Sequence, residues 1–71
     1  DPERQEIKEA VQKALQILEP DFRAVVVLGL VDGYSVKETA EILQLPQGTV
    51  ASRLARGQEK LKDILTKWKI V

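Results

Sequence analysis

A chain of 71 residues with 11 basic and 11 acidic side chains is one small domain with no formal net charge, close to the size at which a core suffices without staples. It has no cysteine, so disulfides and thiolate metal sites are excluded, and no histidine, which removes the commonest general base and the commonest metal ligand together. Its acidic residues are scattered, so neither catalysis nor a metal, cofactor or small-molecule site is expected.

Glu3 to Leu18 carries Ile7, Val11, Ala14, Leu15 and Leu18 on one face, the mark of an amphipathic helix. Asp1 is placed to cap it and Pro2 to sit in its first turn. Glu19-Pro20 closes it, because the residue before a proline resists the helical region. Asp21 to Val31 is ambiguous by periodicity, and its valines favour a strand. A lone strand would leave its backbone groups unpaired, so a central helix is expected there, ended by Asp32 and a left-handed Gly33. The apolar run Ala24–Val31 is far short of the roughly 20 residues that span a bilayer, and the chain shows no secretory leader. A cytoplasmic setting without a membrane partner is expected. A first residue of Asp rather than Met suggests a domain of a longer protein.

Ser35 and Glu38 form the S-x-x-E pattern of a capping box. Val36, Thr39, Ala40 and Leu43 then line one buried face. Gln44 to Gln47 break the pattern in a turn of about four residues, where Pro46 has no backbone donor. A last helix starts between Pro46 and Gly48 and runs to about Lys67. Val50, Leu54, Leu61, Ile64, Leu65 and Trp68 share its apolar face, with Trp68 as a terminal anchor. Thr49, Ser52, Arg53, Arg56 and Lys60 share the opposite face. Gly57 in mid-helix costs about 1 kcal/mol against alanine, so a kink or close packing is expected there.

The whole is an all-α, four-helix domain over residues 1–71. A short buried helix, a tight turn and a longer helix with basic residues near its start make a helix-turn-helix, whose second helix enters the DNA major groove. Charge is distributed accordingly. Residues 1–45 hold five basic and nine acidic side chains, a balance of −4, whereas residues 46–71 hold six basic and two acidic, a balance of +4. Gly48 and Thr49 offer free N–H groups to a phosphate at the helix start, with Thr49 also suited to capping. Ser52, Arg53 and Arg56 lie within base-reading reach, and arginine pairs bidentately with guanine. Arg53 has a competing role as the partner of Glu41. Lys60, and Lys37 on the preceding helix, are phosphate contacts, and Gln47 completes the candidate DNA-binding set.

Three strings then resemble a known family: L-x-P-x-x-R (Leu18, Pro20, Arg23), G-x-S-x-x-E-x-A (Gly33, Ser35, Glu38, Ala40) and L-P-x-G-T-V-x-S-R-L-x-R (Leu45–Arg56). Together they resemble the C-terminal domain, region 4, of bacterial sigma factors, nearest to the extracytoplasmic-function group. The resemblance covers about residues 1 to 65. It implies double-stranded promoter DNA at the −35 element as a partner, docking on the β flap of the RNA polymerase core, and masking by an anti-sigma factor. Arg23 resembles that family's basic position early in the second helix, although a surface or intramolecular salt-bridge role suits it equally. The chain departs from the family pattern at Ala51, Ala55 and Gly57-Gln58, where larger or basic residues are common. With about 3–5 phosphates neutralised, the isolated domain is expected to bind weakly. Two rival readings are a module that mainly captures an anti-sigma factor and a dimeric helix-turn-helix regulator.

Overall fold

A computed structural model describes residues 2–70, and among them every regular element is helical. Helix α1 spans Pro2–Ile17 and α2 spans Pro20–Val26, running on as a π-helical turn over Val27–Val31; α3 spans Val36–Leu43 and α4 spans Gln47–Lys67. The expected all-α domain with four helices is therefore present. Asp1, the expected cap of α1, lies outside the described residues.

Only the second half of α1 meets the rest of the molecule. Ala14, Leu15 and Leu18 are buried, but residues 2–9 are all exposed. Ile7 was expected on the buried face and is instead 48% exposed, because α1 outruns the helices it packs against. Leu18 falls just past the helix end, one residue earlier than expected.

The α1–α2 junction is closed from a distance. Glu19 precedes Pro20 in an extended conformation, and α2 has no side-chain cap at its start. The last carbonyls of α1 lack helical partners, and the Arg23 guanidinium takes two of them together with the carbonyl of Leu18. Its Nε donates to the Leu15 carbonyl at 2.9 Å, and Nη2 donates to those of Gln16 at 3.1 Å and Leu18 at 2.9 Å. A cation there also complements the negative end of the helix dipole. Of the roles left open for Arg23, the intramolecular one is thus present, but as a cap on the end of α1 rather than a salt bridge.

Val25 and Val26 are completely buried in α2, so packing overrides their strand preference. Beyond Val26 the backbone widens, and the Asp32 N–H reaches back five residues to the Val27 carbonyl at 2.9 Å. The expected single helix over 21–31 is therefore an α-helix with a π-helical end. Leu30 and Val31, expected inside a central helix, face outward at 48% and 60% exposure. Gly33 at φ 80° then turns the chain, as expected.

The capping box of α3 is complete. The Glu38 N–H donates to Ser35 Oγ, and the Ser35 N–H donates to Glu38 Oε1, both at 3.0 Å. The Ser35 backbone N–H, helped by its side chain, holds the Glu38 carboxyl below its ordinary value. Helix α3 ends at Gln44, which is left-handed at φ 56°, and the Leu45 N–H closes on the Ala40 carbonyl at 3.0 Å. The turn is Gln44 to Pro46, three residues rather than four.

Helix α4 holds the domain together. Val50 and Leu65 are buried on its inner face, and Leu54, Leu61 and Ile64 pack against a core of Leu15, Leu18, Val25, Val26, Ala40 and Val50. Gly57 is buried where α4 crosses α2. A Cβ there would lie 2.6 Å from Val26 Cγ2 and 3.5 Å from both the Phe22 Cβ and the Phe22 carbonyl oxygen. Close packing, with α4 unbroken, is the reason for this glycine. Trp68 follows the end of α4 at 40% exposure, so it does not anchor the core; the final turn extends past its neighbours. No helix among the described residues is long and apolar enough to cross a membrane.

Candidate nucleic-acid interface

The start of α4 is open. Its N-cap is Pro46, without a side-chain hydrogen bond, and the first return bond runs from the Val50 N–H to the Pro46 carbonyl at 3.1 Å. The N–H groups of Gln47, Gly48 and Thr49 thus precede the hydrogen-bond ladder and point out of the helix end. Thr49, which the sequence suits to capping, is the third helical residue and half-buried, so it does not cap.

Just beyond this end, Gly48, Thr49, Ser52, Arg53 and Arg56 line one cleft of about 420 Å³. The packing of α4 on α2 makes this cleft. Because Gly57 lets the two helices touch, the amino-terminal end of α2 stands against the first two turns of α4. Glu19, Asp21 and Phe22 form the facing wall. Five of the eight expected contact residues are therefore brought together, facing two carboxylates that sequence spacing did not reveal. Gly57 was the one signal of close helix approach in the sequence, but it did not say which residues would meet.

The two arginines differ in setting. Arg56 is exposed, whereas Arg53 is half-buried in the cleft. Among the described residues no hydrogen bond or ion pair ties either guanidinium to a protein group, and the alternative pairing of Arg53 with Glu41 is absent. Both keep their donors for an external acceptor. Ser52, one turn before Arg56, is exposed and lines the same cleft.

The remaining candidates stand outside this cleft. Gln47, the first residue of α4, is exposed, and so is Lys37 in the first turn of α3. Lys60 lies farther along α4. Its Nζ is 3.6 Å from Glu19 Oε1 and 5.2 Å from the centre of the Phe22 ring, which places the cation over the aromatic face. Lys60 is thus engaged within the domain, unlike the two arginines. Among the described residues no cluster of three or more acidic side chains could hold a metal ion.

On the other side of α4, Leu30, Leu61 and Leu65 form a shallow apolar hollow edged by Gln58 and Lys62. Exposed Val31 and Tyr34 follow Leu30 along the chain. Helix α4 therefore separates a polar, arginine-bearing cleft from an apolar surface.

Residues 8–61 match a family model described as sigma-70, region 4. The chain is 46% identical over 57 residues to the ECF RNA polymerase sigma factor SigE of Mycolicibacterium smegmatis, covering 80% of this chain and 22% of that protein. It is 39% identical over 60 residues to the ECF RNA polymerase sigma factor SigW of Bacillus subtilis, covering 84% and 32%. It is 45% identical over 56 residues to the ECF RNA polymerase sigma factor SigM of Mycobacterium tuberculosis, covering 79% and 29%. The chain spans about a fifth to a third of the length of these curated relatives.

Proposed function

This chain belongs to the sigma-70 region 4 family, and we propose that it is the promoter-reading domain of an extracytoplasmic-function sigma factor. In this reading α4 enters the major groove of the −35 element by its amino-terminal end. The observation that carries it is the pair of unclaimed guanidinium groups, Arg53 and Arg56, in the cleft beside the uncapped start of α4. Arginine's forked donors match guanine O6 and N7. The N–H groups at Gln47, Gly48 and Thr49 receive a phosphate, helped by the helix dipole. Lys37 adds a second backbone contact from α3, and Ser52 bonds to a base edge or phosphate. A longer parent chain supplies the other steps of initiation.

Titration of a duplex selected from a randomised pool tests this reading. Arg56→Ala should weaken the selected duplex by about 1–3 kcal/mol more than a scrambled one, since a base contact carries sequence information and a phosphate contact does not. Unchanged affinity for both Arg53→Ala and Arg56→Ala would remove the cleft from DNA recognition.

A second role is favoured by the apolar hollow of Leu30, Leu61 and Leu65. It suits protein docking, on the polymerase β flap or on an anti-sigma factor that masks the domain. Leu61→Asp should abolish capture by these partners while leaving duplex affinity of the folded chain intact. If the chain mainly serves anti-sigma capture, the parent protein will bind that partner and leave no footprint on promoter DNA.

A further inference from the structure

Glu19 is the residue before α2, yet its side chain does not cap that helix. Its carboxylate instead reaches Lys60 across the domain, with the two side chains 70% and 48% exposed. Glu19 borders two adjoining hollows. One is the arginine cleft, and the other holds Lys60, Asp63 and Lys67 beside Ile17 and Leu18. One solvated carboxylate therefore stands between the arginines and Lys60.

The pair is not needed to hold α4 in place. Exposed ion pairs contribute little to stability in a high dielectric, and α4 is already fixed on α2 by the contact of Gly57 with Val26. Arg53, Arg56 and Lys60 stand at i, i+3 and i+7, one row along α4 of about 10 Å. A duplex lying against Arg53 and Arg56 brings its phosphates along this row, where Glu19 carries the same sign of charge.

Resting on the DNA-reading role above, we propose that Glu19 is a built-in competitor of DNA phosphate for Lys60. In the free chain the carboxylate occupies the cation, which Phe22 supports from below. On DNA, phosphate takes over only against the repulsion of Glu19. The residue thereby sets how tightly, and with what salt dependence, the face holds a duplex of any sequence.

Anisotropy titrations of the chain across a salt series, on selected and scrambled duplexes, test this. Glu19→Gln should tighten both duplexes alike, on the order of tenfold at 50 mM salt, and steepen the plot of log affinity against log salt by about one. Lys60→Ala alone should change affinity less than about twofold, but in the Glu19→Gln background it should erase the gain. Glu6→Gln makes the same charge change on α1 and should leave the salt slope as it was.

Equal cost of Lys60→Ala in both backgrounds, or equal tightening by Glu6→Gln, would overturn the proposal. No tightening by Glu19→Gln would do the same; if Arg56→Ala still lost the selected duplex, the DNA reading would stand without it. Failure of every variant to bind even at the lowest salt would overturn both.

Discussion

The two flanks of α4 are built on opposite terms. On the inner flank, Val50, Leu54, Gly57 and Leu65 fit against α2 and the core so closely that one added methyl group meets Val26 at 2.6 Å. On the cleft flank, Ser52, Arg53 and Arg56 have no hydrogen-bond or ion-pair partner among the described residues. One helix can do both because its 3.6-residue turn separates the two faces. Tight packing makes the element rigid, and rigidity lets free side chains wait in place for a ligand. Substitutions should therefore divide cleanly between stability and binding.

The largest effect is expected at the closest contact. Gly57→Val should destabilise the fold by about 3 kcal/mol, since overpacking against completely buried Val26 outweighs any gain in helix propensity. Denaturant titration would measure it, and partial recovery in Gly57→Ala with Val26→Ala, relative to Gly57→Ala alone, would tie the loss to that contact. A smaller loss, about 2 kcal/mol, is expected for Arg23→Met, which leaves two carbonyls of α1 and that of Leu18 just beyond it without their charged donor. Duplex affinity of the folded fraction should stay the same. If Arg23→Met lost affinity but kept its stability, Arg23 would belong with the cleft arginines.

Gln44 sits between the two flanks, in the turn that delivers α4. Its left-handed backbone favours glycine, so Gln44→Gly should raise stability by about 1 kcal/mol or less, visible as a melting point a few degrees higher. The smallest effect concerns Glu38. Its carboxyl is held below the ordinary glutamate value in the folded chain, so the native state binds fewer protons than the unfolded chain there. Its contribution is complete above the ordinary glutamate range and disappears as the pH falls through the lowered native value. Glu38→Gln should flatten the acid limb of the stability curve and lower its neutral plateau by the same small amount; an identical acid limb would show that the capping box carries no pH dependence.

These same features separate what was legible in the sequence from what was not. The capping box, the turn at Pro46 and the polar row on α4 were legible because each depends on residues within one or two turns of one another. Ser35 and Glu38 need no third element to find each other. The exposure of Ile7 and Trp68 was not legible, because periodicity tells which way a side chain faces but not how far the neighbouring helices extend. The π-helical end of α2 was also hidden, since its valines and leucines read equally as strand or helix.

By itself, then, the sequence determined four helices, the helix-turn-helix and the side of α4 that carries the arginines. Tertiary structure alone decided that Arg23 caps α1, that Gly57 seats α4 on α2, and that Glu19 and Asp21 face the arginines. Local hydrogen bonds and helical periodicity act over a few residues and can be read from spacing. Which carboxylate meets which cation depends on how two helices cross, and that is set by close packing among side chains far apart in the chain.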